Sequence, residues 1–186
     1  MYVPPKLLAD TALEWKERKK AGNIGVAFTY NEPLVGWEYV RDTARLVREY
    51  GMENVLVTNG TASMEVLEEL LPYIDAMNID LKGFREGYYR KLGGDLETVK
   101  RFITRASADC HVELTTLIVP GENDGEDEME EEARWIADLN REIPLPQRCK
   151  GIPWPAFCSV VARQAHDLKT FFFLDSKFHT GHSFDC

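Results

Sequence analysis

The sequence predicts an α/β fold built on a parallel sheet, and three observations carry that expectation. Short apolar runs (Ile24–Phe28, Val55–Val57, Ala76–Leu81 and His111–Val119) alternate with stretches of helical periodicity, the pattern of βα units. Each run ends in polar or turn residues: Thr29-Tyr30-Asn31-Glu32-Pro33, Thr58-Asn59-Gly60, Asp80 with Lys82, and Pro120-Gly121. Crossovers between such units are right-handed, so successive units curl the same way. Four of them make an open sheet or half a barrel, and are too few for a closed eightfold one. In either case the polar clusters gather along one edge of the sheet, where α/β proteins place their sites.

Each element has a local reason. Lys6–Lys20 puts Leu8, Ala12 and Trp15 on one helical face. Its basic end suits the negative pole of the helix, and Gly22 can close it. After the strand Ile24–Phe28, a helix from Leu34 to Tyr50 carries Trp37, Val40, Ala44 and Val47 as one stripe, with Gly51 as its stop. Val55–Val57 is the next strand, and Ser63 caps a helix that runs through Leu71. Ala76–Leu81 precedes helical stretches at Glu86–Leu92 and Leu96–Arg105. His111–Val119 leads through the turn-rich Pro120–Gly125 into a helix over Glu126–Asn140, whose acidic first turn matches its dipole.

Residues 1–145 read as one domain. The segment 146–186 differs: it holds three of the four cysteines and Phe171-Phe172-Phe173, with little periodicity. It reads either as a small structured appendage or as a foreign, out-of-frame ending that packs poorly, and the missing periodicity favours the latter. The chain has 186 residues, 44% hydrophobic and 28% charged, a balance suited to a soluble globule. No apolar run approaches the roughly 20 residues of a membrane helix. Met1–Pro5 lacks the features of a secretory signal, so a cytoplasmic location without membrane contact is expected. The net charge of −9 argues against broad contact with nucleic acid. Cys110, Cys149, Cys158 and Cys186 form no Cys-x-x-Cys, and reduced thiols are the expected state.

Among residues that can carry chemistry, Asn78, Asp80 and Lys82 alternate and share one face if the strand is regular. A charge pair there is costly unless matched. It is either a ligand-facing pair or a loop lysine in solvent with Asp80 capping a turn. Thr29–Glu32 either grips a ligand's amine and carboxylate, or forms a routine turn in which Asn31 caps the helix and Glu32 complements its dipole. Thr58-Asn59-Gly60 is a common turn type, and Thr115 and Thr116 suit a strand. Glu126–Glu132 reads as a solvated helix face. His111 begins a strand, while His166, His179 and His182 have no regular context for a metal site. No P-loop, Gly-x-Gly-x-x-Gly or Ser-His-Asp arrangement is present.

Three segments, FTYNEPLVGWEYVRDTARLVREYGMENVLVTNG, LLPYIDAMNIDLKGFREGYYRKLGG and VELTTLIVPGENDGEDEMEEEARWIADL, resemble the radical S-adenosylmethionine (SAM) superfamily. Within it they are most similar to the pyruvate formate-lyase-activating-enzyme-like group, including the radical SAM protein of the AmmeMemoRadiSam system. The resemblance covers roughly residues 7–145. It implies a partial TIM-type (β/α) barrel, truncated relative to a full (β/α)6 barrel, with SAM and a [4Fe–4S] cluster at the carboxyl ends of the strands. It places Thr29, Tyr30, Asn31 and Glu32 at the methionyl amine of SAM. Thr58, Asn59, Asp80 and Lys82 would face the ribose and methionyl carboxylate, and Val119, Pro120 and Gly121 would lie beside the adenine. In such enzymes a reduced cluster cleaves SAM to a 5′-deoxyadenosyl radical, which takes hydrogen from a substrate. For activating enzymes that substrate is a glycine of a partner protein.

This sequence departs from that pattern in two ways. It contains no Cys-x3-Cys-x2-Cys, the source of the cluster's thiolates, and 146–186 does not resemble the family's last barrel unit. The expectation is therefore a radical SAM fragment that does not cleave SAM. Two other readings use the same residues: a cluster-free α/β-barrel lyase or aldolase acting through Asp80 and Lys82, and a degraded, non-catalytic binding module.

Overall fold

Apolar spacing sets the helices and the faces they bury. The computed structural model describes residues 2–18 and 22–145, with the backbone of 147–149 and 172–173. Helix α1 (Pro5–Arg18) buries Leu8, Ala9 and Ala12. Helix α2 (Trp37–Glu49) buries Val40, Thr43, Ala44 and Val47, the i, i+3, i+4, i+7 stripe. Helix α3 (Met64–Leu70) is capped by Ser63, whose hydroxyl accepts from the Val66 N–H. Helices α4 (Glu86–Lys91) and α5 (Leu96–Ala106) follow, α5 capped by Asp95 and burying Leu96, Val99, Phe102, Ile103 and Ala106. Helix α6 spans Glu126–Leu139.

Between them β1 (Gly25–Phe28), β2 (Glu53–Thr58), β3 (Ala76–Asp80) and β4 (His111–Ile118) pair in parallel, each beside its predecessor. The short strands β5 (Gln147–Cys149) and β6 (Phe172–Phe173) join β4 and β1, giving a six-stranded sheet ordered β5-β4-β3-β2-β1-β6. Alternation along the strands sorts the two faces. Leu56, Met77, Ile79, Val112 and Leu114 are buried in one core with the helices. Val55, Val57, Asn78, Asp80, Glu113 and Thr115 are partly exposed on the other face. The first two strands approach so closely at Gly25 that a Cβ there would lie 1.9 Å from the Glu53 carbonyl oxygen.

The expected α/β architecture with parallel strands is present, with local differences. Pro33–Gly36 is a 3₁₀ turn and the α-helix begins only at Trp37. Strand β2 is longer than Val55–Val57, because ladder pairing with β1 and β3 takes in Glu53, Asn54 and Thr58 regardless of their polarity. The expected character of 146–186, and its three histidines, concern residues outside the described ones, apart from the two short strands. Among the described residues no helix is long and apolar enough to cross a membrane.

Candidate functional site at the carboxyl ends of the strands

The loop leaving β1 is tied to the end of β2 by one side chain. Glu32 Oε1 accepts from the Leu34 N–H at 3.2 Å and from Thr58 Oγ1 at 2.7 Å, while Oε2 accepts from the Asn59 N–H at 2.7 Å. Glu32 itself is thus the cap of the following turn, rather than Asn31 as one sequence reading had it, because its longer side chain spans both the turn and β2. Thr58 Oγ1 in turn accepts from the Gly60 N–H, and Asn59 Oδ1 accepts from the N–H and hydroxyl of Thr61. Gly60 has a φ of 67°, and a Cβ there would meet Ile79, Phe102 and Val99, so the tight turn requires glycine. Thr29 leaves β1 partly buried, and Tyr30 and Asn31 are exposed in the same loop.

The next strand end carries the charge pair. Thr58 is in register with Ile79, so Asn59 and Asp80 follow at adjacent positions of neighbouring strands. Lys82 lies two residues beyond β3, not on the strand face, yet its ammonium pairs with the Asp80 carboxylate. Both side chains are partly exposed, so the pair adds little to stability. Schiff-base lysines are usually desolvated or placed beside another cation, whereas Lys82 is partly exposed and pairs with a carboxylate. Asn78, on the Asp80 face, accepts at Oδ1 from Thr115 Oγ1 at 3.1 Å.

The backbone of Lys82 is held at both of its polar groups by side chains. Its N–H donates to Tyr89 Oη at 3.0 Å, and its carbonyl accepts from Asn123 Nδ2 at 2.7 Å. Burial pushes the Tyr89 phenol well up, so it stays protonated. Next to it, the Phe84 N–H donates to Glu128 Oε1 at 2.6 Å, and Phe84 packs against Trp135 with the Lys100 ammonium over both rings. Asn123 also donates to the Leu117 carbonyl at 3.0 Å, and its Oδ1 accepts from the Val119 N–H at 2.7 Å. It therefore fixes the turn Val119-Pro120-Gly121, where Pro120 and Gly121 are exposed.

The structure thus joins Glu32 to Thr58 and Asn59, Asp80 to Lys82, and Lys82 through Asn123 to Val119. Sequence reading missed Asn123, Tyr89 and Glu128. Asn123 was one of several turn-forming residues, and no spacing reports a bond across 41 positions. The acidic run was expected to be solvated throughout; instead Glu128 and Glu132 are 6% and 1% exposed, because they fall on the helix face turned to the sheet. A cavity of about 440 Å³ lined by Arg48, Asp75, Asp109, Cys110 and His111 lies at the opposite edge, where the strands begin. Its Arg48–Asp75 pair braces the start of β2 through the bond from the Asn54 N–H to Asp75.

Against known proteins, the family model described as the radical SAM superfamily matches residues 2–136. An uncharacterized protein of Methanocaldococcus jannaschii is 41% identical over 123 residues, 65% of this chain and 36% of that protein. The pyruvate formate-lyase 1-activating enzyme of Escherichia coli is 25% identical over 151 residues, 79% of this chain and 60% of that enzyme. The chain thus spans from about a third to three-fifths of the length of these relatives. Two solved structures share the fold. One is a domain of a pyruvate-formate lyase-activating enzyme from Bacteroides vulgatus, with TM-score 0.57, 23% identity, and 69% of this chain and 77% of that one covered. The other is Streptococcus suis SuiB bound to S-adenosylmethionine, with TM-score 0.62, 12% identity, and 83% and 36% covered.

Proposed function

This chain belongs to the radical SAM superfamily, and from that membership we propose that the carboxyl-terminal edge of its sheet is a SAM site of the pyruvate formate-lyase-activating-enzyme-like kind. The observation that supports this reading best is Glu32. Its carboxylate is partly buried and fixed by three donors, and among the described residues no cationic side chain pairs with it. A carboxylate held this way suits a ligand ammonium, which the methionyl amine of SAM supplies. Thr29, Tyr30 and Asn31 border it in the same loop. Asn59, partly exposed, offers its side-chain amide to a ribose, with the buried Thr58 behind it bonded to Glu32 and the Gly60 N–H, and the Asp80–Lys82 pair presents a cation to the methionyl carboxylate. Val119, Pro120 and Gly121 provide an apolar, backbone-lined margin for the adenine.

The superfamily's second cofactor is a [4Fe–4S] cluster, which in this family supplies the electron that cleaves SAM. The donor set here does not fit it. The sequence has no Cys-x3-Cys-x2-Cys, and among the described residues no three cysteine, histidine or acidic side chains are grouped as ligands. Cys110 lies at the opposite edge of the sheet, with burial raising its thiol to about 11. The 186 residues by themselves are accordingly read as binding SAM without cleaving it. A glycyl-radical-type protein substrate and a cytoplasmic setting follow from the same family reading.

Isothermal titration of the chain with SAM tests the site, with saturable binding expected in wild type and none in Glu32→Ala. Absence of binding to wild type refutes it. Anaerobic iron–sulfur reconstitution tests the second part: cluster absorbance together with 5′-deoxyadenosine from this chain alone would overturn it.

A further inference from the structure

Lys82 is fixed through both of its backbone polar groups by side chains from two different elements, and one of those side chains also fixes the neighbouring strand end. We propose that Asn123 is a positioning residue that holds Lys82 in register with Val119–Gly121. Asn123 is 2% exposed, and both ends of its carboxamide are engaged. The oxygen accepts from the Val119 N–H at 2.7 Å, and the nitrogen donates to the Lys82 carbonyl at 2.7 Å and the Leu117 carbonyl at 3.0 Å.

Closing the turn after β4 needs only the bond to Val119, an arrangement aspartate or serine can also make. The bond to Lys82 spans two βα units, and only a side chain with an acceptor and two donors at this length makes all three contacts. There is also no slack around it. A Cβ at Gly83 would lie 3.3 Å from Asn123 Cβ, 3.0 Å from Glu128 Oε1 and 2.9 Å from Tyr88 Cδ1. Glu128 holds the next N–H, that of Phe84. The chain after β3 therefore moves only if Asn123 lets go.

The functional half of this inference rests on the SAM reading. Lys82 then faces the amino-acid end of the ligand and Val119–Gly121 the nucleoside end, so Asn123 couples two part-sites that a single molecule must reach together. A coupling residue changes the affinity of the whole ligand more than that of either piece.

The test compares wild type, Asn123→Ala and Asn123→Asp, the last keeping the acceptor for Val119 and losing both donors. Calorimetry with SAM, methionine and 5′-methylthioadenosine is expected to show SAM affinity falling about tenfold in both variants. Affinity for each fragment is expected to change less than about threefold. Equal losses for SAM and both fragments mean general loosening and overturn the coupling role, as does unchanged SAM affinity. Amide hydrogen exchange provides a reading without ligand: protection in 81–84 and 117–121 falls together in Asn123→Ala, while 58–60 keeps its protection. If wild type binds no SAM, the proposed function fails and the exchange result alone decides the register role. Unchanged exchange in either segment overturns it.

Discussion

Glu132→Gln probes a carboxyl group lodged between α6 and β4. Glu132 is 1% exposed, and its Oε1 accepts from Thr116 Oγ1 at 2.5 Å. Burial, with the Glu128 charge adding to it and the Thr116 bond opposing it, pushes its carboxyl up from 4.5 to about 7. Each tenfold change in proton affinity corresponds to about 1.4 kcal/mol, so ionising the group in place costs the fold about 3 kcal/mol. The folded state binds this proton more tightly than the unfolded chain does. Its contribution to stability is therefore complete below about pH 4.5 and is lost as the pH rises through 7. Glutamine keeps an oxygen for Thr116 and carries no charge. Urea unfolding followed by circular dichroism should show Glu132→Gln more stable than wild type by about 1–3 kcal/mol at pH 8.5. The difference should shrink toward zero near pH 4.5. Glu126→Gln, exposed on the same helix, should change stability by less than about 0.5 kcal/mol at either pH. A pH-independent difference between wild type and Glu132→Gln, or a variant less stable throughout, would show that the buried carboxylate is not penalised.

Gly25→Ala places a Cβ 1.9 Å from the Glu53 carbonyl oxygen. Backbone atoms cannot rotate away, so loss of folded protein, or destabilisation of more than about 3 kcal/mol by urea titration, is expected. Asn54→Ala removes a buried carboxamide that donates to the Ala44 and Tyr73 carbonyls at 2.9 and 3.0 Å. Leaving both without donors should cost about 2–4 kcal/mol, and a change under about 0.5 kcal/mol would contradict the assignment. Cys110, with its thiol raised to about 11, should be alkylated by iodoacetamide at pH 8 far more slowly than glutathione, since only about a thousandth of it is thiolate. Peptide mass mapping reads the modification, and labelling of Cys110 at the rate of glutathione would refute it.

Much of this molecule was legible from periodicity. The stripe Val40, Ala44, Val47 and the cap at Ser63 have local causes, and a sequence displays local causes directly. The edge bearing Glu32, Asn59 and Asp80 was legible for a related reason: parallel strands must end their apolar runs on the same side. Contacts at long range were not legible. Nothing near Asn123 indicates that its partner is Lys82, and nothing in the run Glu126–Glu132 separates its buried members from its solvated ones except the phase of the helix against the sheet. That phase depends on how α6 docks, which is a tertiary fact. Glu32 shows the same limit, since glutamate is not among the usual capping residues and its reach to β2 decides its role.

The three bonds converging on Glu32 also bear on how a ligand would be received there. A segment already stitched to its neighbour loses little freedom when a guest arrives, so the entropic toll of ordering it is collected during folding instead of during association. Recognition at this end of the sheet should consequently resemble a key entering a cut lock, with little entropy lost to loop ordering, whereas the exposed Tyr30 and Asn31 can adjust to whatever covers the entrance.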